Sequence, residues 1–252
     1  MVQLTEINNE RAILINSANI ADDMDYAIKN NIKKIVISSR IGNYKLDNVN
    51  FLEAYPEIQD LAISTYLKID YSTIHSLKAL KKLSIDVLAA DNQKIDFSCF
   101  PSIEEISFDW RKQIKNIESA SQLKYINISK LKTKNLEVFS NLKNIVNFSV
   151  FESSIENLSG IENFSKLERL TIVRCPNLTS IESIAKLVDL EHIRISNCKN
   201  LTSIKVLENL NNIKFLELHN CGEIESIAPI KNLKNLKEFN YTGDTKFLDN
   251  HK

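Results

Sequence analysis

The chain has little of what most enzymes and many scaffolds are built from. Only four of its 252 residues are glycine and none are grouped, so no glycine-rich loop is present to wrap backbone amides around a phosphate. Four cysteines are too few for a disulfide framework and point to thiols kept reduced. There is no excess charge of either sign: 32 basic residues balance 32 acidic ones. Nothing global therefore pulls the chain onto nucleic acid or an anionic membrane, and any electrostatic specialisation must be local. No stretch approaches the roughly 18 uninterrupted apolar residues of a membrane span. The opening MVQLTEINNERAILINSANIADDMDY sets Glu6, Glu10 and Arg11 around one short apolar run. That lacks the basic start and small-residue cleavage site of a secretory leader, and the expectation is a cytoplasmic protein. Richness in Ile, Lys and Asn, whose codons are AT-rich, points to a microbial, bacterial source.

What is present is a fold-competent composition, 43% hydrophobic and 25% charged, arranged with a strong internal period. LERLTIVRC begins at Leu167, LEHIRISNC at Leu190, IKFLELHNC at Ile213 and LKEFNYTGD at Leu236, each 23 residues after the last. The same apolar triad recurs upstream as Ile145/Phe148/Val150, Leu123/Ile126/Ile128, Ile103/Ile106/Phe108, Leu80/Leu83/Ile85, Ile58/Leu61/Ile63 and Ile32/Ile35/Ile37, with a degenerate copy at Ile13 and Ile15. About eleven copies follow one another at intervals of 20 to 26 residues. Between triads, apolar residues recur every third position, as in Leu178, Ile181, Ile184 and Leu187. That spacing predicts tight 3₁₀-like returns rather than full α-helices.

The pattern L-x-x-L-x-L-x-x-C/N resembles the leucine-rich-repeat family, in particular the short repeats of about 22 residues found in bacterial internalins and in a phosphatase-regulating eukaryotic subgroup. The copy from Ile145 to Phe164 fits that short pattern without insertion, the C-terminal copies carry one extra residue after the cysteine, and the N-terminal copies carry Arg40 and Tyr66 where the family favours Asn or Cys. The resemblance implies an α/β solenoid: a right-handed curved array with a parallel β-sheet on its concave face and 3₁₀ or irregular returns on its convex face. One domain is expected over residues 1–252, with a degenerate repeat and cap helix in 1–31, repeats in 32–244 and a short tail in 245–252. Within the first segment, Met24, Ala27 and Ile28 fall on one face of a helix beginning at Ile20.

In such a repeat the leucines face the core and the x residues form the outer strand surface. The middle copies place Asp86, Asp109, Trp110, Tyr125 and Phe151 there, an acidic and aromatic set suited to a partner with a basic, partly apolar patch. Trp110, the only tryptophan, is the natural anchor, since Trp, Tyr and Arg dominate binding hot spots. It could equally serve as surface cover against Tyr125 or Lys130. The C-terminal copies place Arg169, Arg174, His192 and Arg194 there, interleaved with Glu168, Glu191 and Glu217. These cations suit a phosphate or an acidic protein, or else form an ordinary solvated face, which the glutamates favour.

Signals of chemistry are weak. Cys175, Cys198 and Cys221 share one repeat position and form a column, not the tetrahedron of a structural zinc site; the family pattern turns that position inward. Cys99 is expected to lie buried beside Phe97 and Phe100. His192 and His219 differ by four strand positions, roughly 13 Å, too far to share a metal or a proton; His75 lies in a return and His251 in the tail. No nucleophile, base and orienting acid converge by spacing. The chain therefore reads as a non-enzymatic module without cofactor, metal or small-molecule substrate. It would bind another protein, such as a basic toxin neutralised by an immunity protein, or serve as an adaptor of a phosphatase or signalling enzyme. Nucleic acid held by Arg169, Arg174 and Arg194 is the weaker third reading, against the neutral net charge.

Overall fold

The structure, a computed structural model, describes residues 2–7, 10–87 and 92–249. His251 lies outside the described residues. The chain forms two compact units, residues 1–122 and 123–252.

Besides a pair of two-residue strands, Ile95–Asp96 and Ile114–Lys115, the first unit has among its described residues six strands: β1 (Gln3–Ile7), β2 (Glu10–Leu14), β3 (Lys34–Ser38), β4 (Asp60–Thr65), β5 (Lys82–Val87) and β6 (Glu105–Asp109). From β2 to β6 neighbours are parallel. β1 departs from the all-parallel expectation, pairing antiparallel with β2. Only a short link separates the two, and a parallel pairing would need a crossover of a dozen or more residues. The helix α1 (Ile20–Lys29) joins β2 to β3. Its buried face is Asp23, Met24 and Ala27, whereas Ile28 is 56% exposed, one residue round the helix from the expected stripe. One carboxylate oxygen of Asp23 accepts the Asn16 N–H at 2.7 Å; the other is buried without a partner, and burial raises the acid above its ordinary value.

The second unit holds β7 (Tyr125–Ser129), β8 (Asn147–Phe151), β9 (Arg169–Val173), β10 (His192–Ser196), β11 (Phe215–His219) and β12 (Glu238–Thr242), all parallel in unbroken register. In both units the returns contain 3₁₀ turns, among them Ser72–Ser76, Glu182–Lys186 and Lys205–Asn209. The triads are buried from Ile13 through Leu218. They fail only in the last copy, where Tyr241 is 42% exposed and packs on Phe239 and Phe247.

The units leave their strands differently. In the second, the residue after each strand takes a left-handed conformation: Lys130, Glu152, Arg174, Asn197, Asn220 and finally Gly243. Each of the first five donates its N–H to the last carbonyl of the next strand, at 2.7 to 3.1 Å. That sharp turn sends the following side chain inward, giving a column of Leu131, Ser153, Cys175, Cys198 and Cys221, all at most 2% exposed. Its polar members donate back to the closing carbonyl of their own strand: Ser153 Oγ to Phe151 at 2.7 Å, Cys198 Sγ to Ser196 at 3.4 Å. A weak thiol donor thus fills apolar space and satisfies a strand-end carbonyl together. Cys99, by contrast, is half-buried rather than buried. The first unit exits its strands through longer loops.

Candidate binding surface

The alternate strand positions of the second unit, outward except for the buried Ser196, form three rows across the strands, set by the parallel register. The first runs Tyr125, Asn147, Arg169, His192, Phe215, Glu238; the second Asn127, Ser149, Thr171, Arg194, Glu217, Asn240; the third Ser129, Phe151, Val173, Ser196, His219, Thr242. Tyr125 is 40% exposed and Phe151 half-buried. His192 stacks on Phe215, ring centroids 6.0 Å apart. Burial first, and then the Arg169 charge, holds the imidazole below its ordinary value, so it faces solvent neutral at physiological pH.

Two of the three arginines are committed. Arg194 Nε lies 3.1 Å from Glu217 Oε1, its register partner, and Arg174 Nη1 lies 2.9 Å from Glu152 Oε1. Arg174 stands not on the strand but in the left-handed turn beyond β9. Arg169 is exposed. The second unit therefore gathers Tyr125, Arg169 and His192 in one row, with Arg194 in the next and Phe151 in the third. His192 and His219 stand in different rows four places apart, as the spacing implied.

Asp86, Asp109 and Trp110 belong to the first unit. Asp86 is not a free acidic charge, contrary to the expectation of an acidic surface. The Arg40 guanidinium meets both its carboxylate oxygens and lies over the Tyr66 ring, 4.7 Å from its centroid. The sequence hid this because the two residues are 46 positions apart. Trp110 is half-buried and stacks on the core ring of Phe108 at 6.4 Å. Sequence reasoning also missed an alternating stripe across the first unit. Lys34 bridges Glu10 and Asp60 at 3.6 Å each, and Lys82 reaches Glu10 at 3.0 Å and Glu105 at 3.9 Å. Burial raises the Asp60 acid above its ordinary value despite both lysines. Position three of each copy, read across copies as Lys34, Asp60, Lys82 and Glu105, was the available signal.

Chemistry-bearing groups are used structurally. His75 Nδ1 bonds the Ser72 carbonyl at 2.7 Å, and its Nε2 accepts the Asp96 N–H at 3.0 Å. Burial pushes the Cys221 thiol up to about 12. Among the described residues, no three His, Cys, Asp or Glu side chains converge to hold a metal ion, and no helix is long and apolar enough to cross a membrane.

No protein-family model matches the chain, and no curated protein matches it in sequence. Solved structures do. The functional domain of InlJ from Listeria monocytogenes, which includes a cysteine ladder, superposes with a TM-score of 0.63 at 13% identity over 86% of this chain and 45% of that one. The leucine-rich repeat domain of the type III effector XopL gives 0.59 at 14% identity, covering 90% and 79%. TLR13, solved with ssRNA13, gives 0.60 at 18% identity, covering 84% and 32%. The buried column of Cys175, Cys198 and Cys221, the parallel strands with 3₁₀ returns and these neighbours agree: the chain has the leucine-rich-repeat fold.

Proposed function

We propose that the protein is a non-enzymatic binding module that holds another protein on its strand face, centred in the second unit on Tyr125, Phe151, Arg169 and His192. The supporting observation is the first row itself. Tyr125, Asn147, Arg169, His192 and Phe215 present two aromatic rings, an amide, a cation with no ion-pair partner among the described residues and a neutral imidazole in one row across hydrogen-bonded strands. Tyr and Arg on a preorganised surface are the residue types from which protein hot spots are made. Beneath them the small side chains Ser149 and Thr171 leave room for a partner to approach.

The pairing of Asp86 with Arg40 removes the reason to require a strongly basic partner, so neutralisation of a basic toxin has lost its electrostatic support on this surface. The pairing of Arg174 and Arg194 with glutamates likewise weakens nucleic-acid binding, which depends on cations free to displace counterions. No observation favours a phosphatase partner over any other protein.

Photo-crosslinking in the native host tests the reading. A photoreactive residue at Ser149 or Thr171 should capture one protein stoichiometrically, and Arg169→Glu should abolish the capture. Capture from Val188, which is 61% exposed on the return side, with none from the strand positions would move the site off this face.

A further inference from the structure

Among the described residues β12 pairs with β11 alone, so its other edge is open. In a parallel pair only alternate residues of a strand bond a given neighbour. The Glu238 N–H donates to the Lys214 carbonyl and the Thr242 carbonyl accepts the Asn220 N–H, each at 3.1 Å, which turns the backbone groups of Glu238, Asn240 and Thr242 toward β11. Those of Phe239 and Tyr241 therefore point out from the sheet. The described residues after the strand do not turn back over them. Lys246–Phe247 runs beside Glu223–Ile224 instead, with the Lys246 N–H on the Gly222 carbonyl at 2.8 Å and the Leu248 N–H on the Ile224 carbonyl at 3.0 Å.

Exposed strand edges are commonly protected by a proline or by a charge turned inward. Glu238–Thr242 has neither. Its core-side residues are Phe239 and Tyr241, stacked at 5.4 Å and backed by Phe247 at 6.2 and 5.3 Å. Leu236, half-buried, and Leu248, 56% exposed, extend the apolar end. A strand added here gains backbone hydrogen bonds and covers aromatic surface together.

The edge is complementary to itself in one register. For the outward groups to bond each other in an antiparallel pair, a two-fold axis must pass through Glu238, Asn240 or Thr242. An axis at Glu238 sets two carboxylates face to face. One at Thr242 sets Tyr241 against Gly243 and carries Phe239 beyond the shared strand. At Asn240 each position is matched: Phe239 exchanges both backbone bonds with Tyr241 of the second copy, their rings lie opposite on the core side, and Glu238 meets the neutral Thr242. The same axis brings Lys237, which makes no ion pair among the described residues, beside the Gly243–Asp244 turn of the second copy. Asp244 is 72% exposed at its side chain and 3.5 Å from an equally exposed Lys199, a contact too weak to withhold it. We propose that the protein forms a two-fold dimer through the open edge of β12. The contact closes after two copies, leaves the strand face uncovered and does not depend on what that face binds.

Light scattering on the size-separated full chain over a dilution series tests the dimer. The expected species has twice the chain mass and dissociates on dilution. Tyr241→Pro removes an N–H that no described residue uses, and should give monomer alone with an unchanged circular dichroism spectrum. Lys237→Glu should weaken the dimer about fivefold, the worth of two exposed ion pairs, and adding Asp244→Lys should restore it. In a Cys99→Ser background, mild oxidation should lock Asn240→Cys as a covalent dimer, because its two thiols meet on the axis, whereas Glu217→Cys one strand away should stay uncrosslinked. A monomer at every concentration, a dimer that survives Tyr241→Pro, or absence of the cross-link from Asn240→Cys overturns the proposal.

Discussion

Gly160→Ala should be among the most damaging single-methyl additions this chain can receive. Gly160 has φ +105°, and a Cβ there would stand 2.6 Å from the backbone of Leu136 and Glu137 in the preceding return. Backbone atoms cannot swing aside as a side-chain tip can, so two repeats would have to separate locally. The left-handed conformation costs a non-glycine residue about 1–2 kcal/mol, and overpacking of this kind costs about 1–3 kcal/mol. The combined loss is about 2–5 kcal/mol, which in a chain of this size lowers the melting temperature by about 10 °C. Gly42→Ala is the internal control. The three atoms nearest its Cβ would all belong to the Leu14 side chain, at 2.8 Å and beyond, and its backbone is not left-handed; a side-chain shift should absorb most of the clash at about 1 kcal/mol. Thermal melts followed by circular dichroism measure both. A drop of less than about 2 °C for Gly160→Ala, or an equal drop for Gly42→Ala, would refute the claim that return-to-return spacing is set by backbone contact at Gly160.

The column beneath the left-handed turns makes a milder prediction. Cys198→Ser should cost less than Cys198→Ala, because a serine Oγ at the equivalent position 153 already bonds a strand-end carbonyl, whereas alanine leaves the Ser196 carbonyl with the Arg174 N–H alone and opens a small void in the column; urea midpoints compare them. A maleimide probe on the native protein should label Cys99, which is half-buried, and leave the fully buried Cys175, Cys198 and Cys221 untouched; early labelling of Cys198 would contradict the packing. Burial raises the Asp23 acid, so the folded state binds that proton more readily than the unfolded chain does. Its contribution to stability therefore grows as pH falls from above the folded value toward the ordinary carboxylate range, and is unfavourable at neutral pH. Asp23→Asn should raise the melting temperature at neutral pH, with the gain shrinking on acidification; a gain that widens would show the sign to be wrong. Lys34→Met should destabilise by about 1–2 kcal/mol at neutral pH, because Asp60, only 11% exposed at its side chain, loses its closest cation. That penalty should also shrink in acid, where Asp60 takes up a proton.

The strands and returns were legible because their signal is repeated. Each triad says little alone, but a spacing of 23 residues carried through four copies leaves no competing fold, and the triads are buried almost throughout. The signal failed where a residue answers to neighbours outside its own repeat. Ile28 was assigned to the buried face of α1 from helical spacing; the helix turns Asp23 inward instead, where the Asn16 N–H meets its carboxylate at 2.7 Å. The antiparallel β1 was invisible because a strand with no triad has no period to betray it. The last copy keeps its pattern in sequence, yet its Tyr241 is exposed, since an apolar position is buried only if something packs over it.

Surface charge was the least legible property, and the reason is geometric. A repeat of about 23 residues brings positions 22, 23, 24 or 46 apart into contact, so the ion partner of a charged residue is rarely its sequence neighbour. Arg40 finds Asp86 two copies away, Arg194 finds Glu217 in the next copy, and Arg174 finds Glu152 in the copy before. Listing outward residues by copy, as the sequence allows, overstates how much charge a partner can use, because the pairing partner is counted as a separate feature. Tyr66, 60% exposed, is the opposite case: it stands at the column position of its copy, and the sequence marks it only as a departure from the family pattern. There the copies depart from the consensus, and departures look like noise until the equivalent turns of the second unit show what regular copies do with that position. In a repeat fold the regular residues build the stack, and the irregular ones are where a binding surface has freedom to differ.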